Sequence, residues 1–230
     1  MHSRRTFFGA SALALAAVQA QTTTSAATGA PYDFAAIEER LNRPFRHRQA
    51  FGAYRLADGA VAAFMLNALN AYEFDYGEGS GTLHALAIFY GTATAMLLDD
   101  TAWRTYQLAA VQQHRGDPAK RLATSGGNPY AAATSPLDRA AARGDLHGLY
   151  HDVSLAALAL RQASFFACDN SLRGLATDIA VTYAISDAPV QVVHADLRAH
   201  LIPGVLLVPA GVAAVNEAQE KKFTFFSSPV

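Results

Sequence analysis

The side chain with the most chemistry to offer is a single sulfur. Cys168 is the one cysteine in 230 residues. It ends the apolar run Ser164-Phe165-Phe166-Ala167-Cys168, which reads as a short strand. Asp169-Asn170-Ser171 follow at once and are good N-cap residue types for a new helix. A cysteine at such a junction meets backbone N–H groups and the positive end of a helix dipole, both of which favour a thiolate. Asp169 beside it pushes the other way. A thiolate there can attack a sulfur donor and keep the transferred atom, with neighbouring amides steadying the charge. The plainer alternative is a small buried hydrophobe, a common fate of free cysteine. One cysteine excludes an intrachain disulfide, and it excludes a cysteine-built zinc or iron–sulfur centre within one chain.

Other constellations are weaker. His147 and His151 are four apart, the spacing a metal pair on one helix face needs, and His84, His114, His194 and His200 are further potential ligands. No acidic residue completes a known motif, and Gly148 weakens the helix. Surface histidines are the plainer reading, so no metal ligand and no cofactor is assigned. Gly77-x-Gly79-x-Gly81 precedes a strand, whereas a dinucleotide fingerprint must follow one and open a helix. Ser125 and Ser154 lack a nucleophile-elbow context. Asn67 and Asn70 suit buried hydrogen bonding better than catalysis. Tyr90 stands at a predicted strand end and is expected to line a pocket with Gly91, Asp169, Asn170 and Pro209 around Cys168.

Elements must position these groups. A short amphipathic helix is expected at Ala35–Leu41, and a longer one at Ala60–Phe74, with Val61, Phe64, Met65, Leu69 and Tyr72 on one face. Basic residues at Arg43, Arg46, His47 and Arg48 suit a solvated surface. Gly77 to Gly81 is a turn. Leu83–Tyr90 is a nearly continuous apolar run, as in a parallel strand covered on both faces. A helix is expected at about Thr94–Leu108, with a break at Asp99-Asp100. Residues 112–144 carry Gly126-Gly127 and three prolines and read as a long excursion, a lid or an oligomer contact, with a short helix at about Leu137–Ala142. Helices follow at Asp152–Gln162 and Asp178–Ser186. Val205–Val208 is a strand, Pro209 opens a helix that runs to about Lys221, and Phe223–Phe226 forms an edge strand. Strands alternating with helices imply an α/β fold with a mostly parallel sheet, helices on both faces and right-handed crossovers. In such sheets ligands bind outside the carboxyl ends of the strands, here Tyr90-Gly91, Cys168-Asp169 and Val208-Pro209.

Two of these segments carry a family resemblance. Phe165-Phe166-Ala167-Cys168-Asp169-Asn170-Ser171-Leu172 resembles the F-x-x-C-x-N-[ST]-L segment of DsrE-like proteins. Leu201-Ile202-Pro203-Gly204-Val205 through Val208-Pro209-Ala210-Gly211-Val212 resembles their LLPGV…VPAGV segment. Leu66 to Ala71 and Leu83 to Gly91 look like the matching first helix and strand. The resemblance covers residues 46–226. It implies a flavodoxin-like three-layer fold, assembly into trimers or hexamers, and, as in the sulfur-relay members, a persulfide carried on the matching cysteine, Cys168.

The chain ends and the composition bound the rest. Ser3-Arg4-Arg5-Thr6-Phe7-Phe8, then an apolar run to Val18 and small residues at Val18-Gln19-Ala20, resemble a twin-arginine signal peptide over residues 1–20. That places the mature chain in the periplasm or outside the cell. Residues 21–45 are a linker and a short helix, and 46–230 form the domain. Removing Arg4 and Arg5 leaves 16 basic against 19 acidic residues, a mature net charge of about −3. Such a balance gives no electrostatic footprint for nucleic acid. The longest late uncharged run, Leu201–Val215, falls short of the roughly 20 residues a membrane span needs, and two prolines interrupt it. With 51% hydrophobic residues the chain has material for a real core. Three function classes remain. The first is an exported carrier of reactive sulfur, partnered by a small sulfur compound or a sulfur-handling protein. The second is a non-catalytic oligomeric binding module with a structural cysteine. The third is a histidine-based metal or cofactor protein.

Overall fold

A computed structural model describes residues 32–117, 126–132 and 152–227. The segment expected to be a signal peptide, His147, His151, the helix expected at about Leu137–Ala142 and much of the expected excursion lie outside those residues. The elements in chain order are α1 (Phe34–Leu41), β1 (His47–Ala53), α2 (Ala60–Asn70), β2 (Leu83–Phe89), α3 (Asp100–Thr105), α4 (Leu108–His114), α5 (Leu155–Leu160), β3 (Ser164–Cys168), α6 (Asp169–Thr177), α7 (Val190–Ala199), β4 (Leu206–Val208), α8 (Gly211–Glu220) and β5 (Thr224–Ser227). The five strands form one all-parallel sheet in the order β4-β3-β2-β1-β5.

Side-chain alternation along the strands divides the core between two faces. Phe51, Ala85, Ala87, Phe89, Phe165 and Ala167 pack beneath α2, α5, α6 and α7. Ala50, Leu86, Ile88, Phe166 and Val208 pack beneath α1 and α8. Every residue of β2 and β3 is buried, the signature of central parallel strands covered on both sides. The result is a three-layer α/β fold of the flavodoxin-like kind. Here the edge strand beside β1 comes from the carboxyl-terminal strand β5.

The order of winding picks out one position in the sheet. From β1 to β4 the chain steps always toward the same edge, so its crossover helices share one face. From β4 it returns across the sheet through α8 on the opposite face to reach β5. Adjacent strands β3 and β4 therefore send their following helices to opposite sides. That is a topological switch point, where open α/β sheets leave a crevice for ligands. Cys168 ends one of these strands and Val208 the other.

The structure differs from the sequence expectations in several places. The central strand β1 was not foreseen. Its first half, His47-Arg48-Gln49, is polar and only half-buried at the amino end of the sheet. Its Gly52 stands where a Cβ would come within 2.8 Å of the Phe225 ring. Helix α7 was also missed, because Val190, Val192 and Val193 are β-branched. Val193 and Leu197, four apart, nevertheless bury one face of it. The helix expected at Asp178–Ser186 is one π turn, Asp178–Thr182, continuing α6. The helix expected from Thr94 is a 3-10 segment, Gly91–Leu97. The break at Asp99-Asp100 is a cap: the Asp99 carboxylate accepts the Ala102 N–H at 2.9 Å to start α3. The excursion begins later than residue 112, since α4 runs to His114. Pro209 does not open α8; Ala210 is its N-cap and Gly211 its first residue. Helix α1 is more than a linker appendage, because Leu41 is fully buried against the sheet.

Candidate functional site

The carboxyl ends of the strands form the candidate site, and each is pinned by a specific contact. Cys168 is both the last residue of β3 and the N-cap of α6, with φ −77° and ψ 115°. No side chain caps that helix. The Asn170 N–H donates to the Pro209 carbonyl at 3.4 Å, tying the start of α6 to the end of β4 across the switch point. Cys168 pairs in register with Val208 and, two residues beyond Phe166, continues the α1/α8 side of the sheet. It is 5% exposed and unbonded to another cysteine.

Asp169 turns to the opposite side. Its carboxylate is 2% exposed. One oxygen accepts from His194 Nε2 of α7 at 2.8 Å, and the other accepts from the Tyr32 hydroxyl at 2.9 Å. Arg198 Nε lies 3.7 Å and a guanidinium nitrogen of Arg173 3.9 Å from it. A buried carboxylate is tolerated only when paired in this way, and the first turn of α6 adds a favourable dipole. Burial, and then the bond to Asp169, raise the Tyr32 hydroxyl above its ordinary pKa. Asp169 was expected to cap α6. It is instead the first helical residue, and its side chain clamps α7 and the incoming chain to the end of β3.

The neighbouring strand ends are built from close approaches. Gly91 has φ +60°, and a Cβ there would lie 2.5 Å from the Tyr54 carbonyl oxygen. Its N–H donates to Ser171 Oγ at 2.8 Å, joining β2 to α6. Tyr90 is half-buried and wedged against the first turn of α8, where a Cβ on Gly211 would meet the Tyr90 Cβ at 2.8 Å. The Tyr90 and Tyr54 rings lie 5.8 Å apart. Burial raises the Tyr90 hydroxyl above its ordinary pKa. After β1, three consecutive residues take positive φ: Ala57 at 40°, Asp58 at 54° and Gly59 at 81°. The buried Asp117 carboxylate holds that turn, accepting from Leu56 N at 2.6 Å, Ala57 N at 3.2 Å and Thr92 Oγ1 at 2.8 Å. Strain of this kind persists only where the surroundings over-determine it.

A cavity of about 440 Å³ opens on the α1/α8 side of the sheet, and Cys168, expected at the centre of a pocket, is not among its walls. Phe34, Ile37, Phe166, Val208, Pro209 and Ala214 are among its walls. Its size falls within the range of small-molecule sites. Of the residues expected to line a pocket, Pro209 borders this cavity. Tyr90, Gly91, Asp169 and Asn170 stand on the strand-end rim instead. Tyr90 makes its packing contacts with Tyr54 and Gly211, and Asn170 is exposed.

The described histidines do not converge. His84 bonds Ser164, His114 stacks on Tyr183, His194 bonds Asp169 and His200 bonds Asp99. Among the described residues, no three His, Cys, Asp or Glu side chains group as ligands for an ion. No helix among them is long and apolar enough to cross a membrane. Of the two paired asparagines, Asn70 is buried and accepts from Arg161 at 2.7 Å, whereas Asn67 is exposed. Sequence reasoning missed Tyr32 and Asp117, and it offered His194 as a potential metal ligand, not as the partner of Asp169. Each acts through a partner between 25 and 137 residues away, which no local pattern announces.

No protein-family model and no curated protein matches the chain. A solved structure titled as a protein of unknown function, MTH1491 from Methanobacterium thermoautotrophicum, is similar at 13% identity and a TM-score of 0.38. The match covers 79% of this chain and 99% of that one.

Proposed function

We propose that this chain is an exported carrier of reactive sulfur, of the DsrE-like kind, with Cys168 as the atom-bearing residue. The observation that carries the reading is the location of the one cysteine, at the uncapped start of α6 on the β3 side of the switch point. In this reading the Cys168 thiolate attacks the outer sulfur of thiosulfate or of a small persulfide. A new S–S bond forms at Cys168 as the donor's S–S bond breaks, and the donor leaves as sulfite or as a thiolate. The thiol proton goes to solvent, and no outside oxidant or reductant is required. Attack by a partner protein's thiolate on the outer sulfur then returns Cys168 to its starting state. The dipole of α6 favours negative charge near its start. Burial of Cys168 selects small donors and shields a persulfide from bulk thiols. Assembly into trimers or hexamers, and delivery by the twin-arginine route, belong to the same proposal.

The 5% exposure of Cys168 favours one competing reading, a binding module in which the thiol is structural. Intact mass after incubation with thiosulfate and persulfide donors separates the two. The carrier reading expects a sulfur-sized, reductant-reversible increment on the native protein and none on Cys168→Ser. No increment, together with a thiol that resists alkylation in the native state, refutes it.

A further inference from the structure

The basic residues that follow α1 do more than face solvent. At the amino ends of the strands, opposite the Cys168 rim, they border a cleft of about 450 Å³. Phe45, Arg46, Arg48, Glu220, Lys221 and Lys222 line it together with Asn42. The carboxyl ends of α1 and α8 converge here, with Asn42 and Lys221 as their C-caps. The Arg48 guanidinium donates to the Arg43 carbonyl at 3.0 Å and the Lys221 carbonyl at 3.1 Å, fastening one wall to the other. Lys221 is bonded to Glu38. Arg46 is 69% exposed and reaches Glu78 at 3.1 Å. Lys222 follows α8 at φ +67°, a position that glycine occupies at less cost. The carboxylate in the wall, Glu220, accepts from Asn216 at 2.8 Å. Four cations and one carboxylate therefore line the cleft, and two of the four, Lys221 and Arg46, are paired with Glu38 and Glu78 outside the lining, in a chain whose formal net charge is −1. Phe45 is held firm, its ring stacked on the buried His84 ring at 4.7 Å and 23°.

We propose that this cleft binds a small phosphorylated molecule. Guanidinium groups offer paired donors that match phosphoryl oxygens, and ammonium groups add point charge. The cleft is roomier than a bare phosphate requires, so the ligand carries an organic body that lies against Phe45. The site stands at the other end of the strands from Cys168 and is independent of the sulfur chemistry.

Isothermal titration of the full chain with inorganic pyrophosphate and with adenosine 5′-diphosphate tests the proposal. At about 20 mM salt one equivalent of probe binds, and binding weakens as salt rises. Lys222→Gly and Arg46→Gln each weaken it about tenfold or more. Lys222→Gly does so without lowering Tm, because glycine suits that backbone conformation. Arg104→Gln, a charge removed far from the cleft, leaves affinity unchanged. The proposal is overturned if neither probe binds the native chain, if both cleft variants bind as well as it does, or if Arg104→Gln weakens binding equally.

Discussion

His84 makes the stability of this protein sensitive to mild acid. The imidazole is fully buried, bonded through Nε2 to Ser164 Oγ at 2.9 Å and sandwiched between Phe45 and Phe223. Burial, and then the nearby guanidinium groups of Arg43, Arg40 and Arg48, push its pKa down from 6.5 to about 4. The folded protein therefore keeps His84 neutral at a pH where the unfolded chain has already taken up the proton. Stability from this residue is fully present above pH 6.5 and is lost as pH falls through the interval down to about 4. Linkage puts the loss at about 2 kcal/mol by pH 5 and about 3 kcal/mol by pH 4. Urea denaturation from pH 7 to pH 4, on the native chain and on His84→Gln, isolates the effect, since every other titrating group is shared. The native chain should lose about 3 kcal/mol more than the variant over that range. Parallel pH profiles for the two proteins would refute the reasoning.

Three further outcomes follow from particular contacts. Gly91→Ala forces a Cβ against the Tyr54 carbonyl at positive φ, and should lower stability in urea by about 2–3 kcal/mol. Asp169→Ala leaves His194 and Tyr32 without their shared acceptor. It should cost about 3 kcal/mol and speed hydrogen exchange in α7 before the rest of the sheet. Arg161→Met removes the guanidinium that Glu73 holds at 2.9 Å and one of the hydrogen bonds of Asn70. A loss of about 3 kcal/mol is expected in thermal or urea melts, and a loss below about 1 kcal/mol would mean that the carboxylate finds water instead.

What could be read in the sequence was whatever is local and apolar. Ser164–Cys168 emerged as a strand with its bounds intact, because five consecutive buried residues end at polar helix-starting residues. Leu83–Phe89 was legible for the same reason. The carboxyl-terminal edge strand was placed within a residue. β1 escaped because a central strand whose exposed end carries His47, Arg48 and Gln49 looks like surface, and its interior glycine is explained by a ring 173 residues later in the chain. The site was half legible. Cys168 announced its junction, but Asp169 looked like a cap. Its true partners, Tyr32 and His194, are brought to it by packing and not by spacing. The basic run 43–48 showed its charge but not its shape, since the opposite wall of the cleft is made by Lys221 and Lys222.

The return of the chain to β1 has a consequence for when the molecule can finish folding. β1 bonds to β2 on one side and to β5 on the other, with Gln49 opposite Thr224 and Gly52 opposite Ser227. The other four strands are all synthesised before β5. Until β5 arrives, the flank of β1 is a row of unpaired backbone groups, a template for pairing with another chain. Its closing contacts are also among the longest-range in the molecule, and such contacts form slowly. A nascent chain thus passes through a stage in which the interior strand β1 is itself an edge, and only the synthesis of β5 covers it. If the chain crosses a membrane in folded form, that late closure marks the moment from which it is fit to travel.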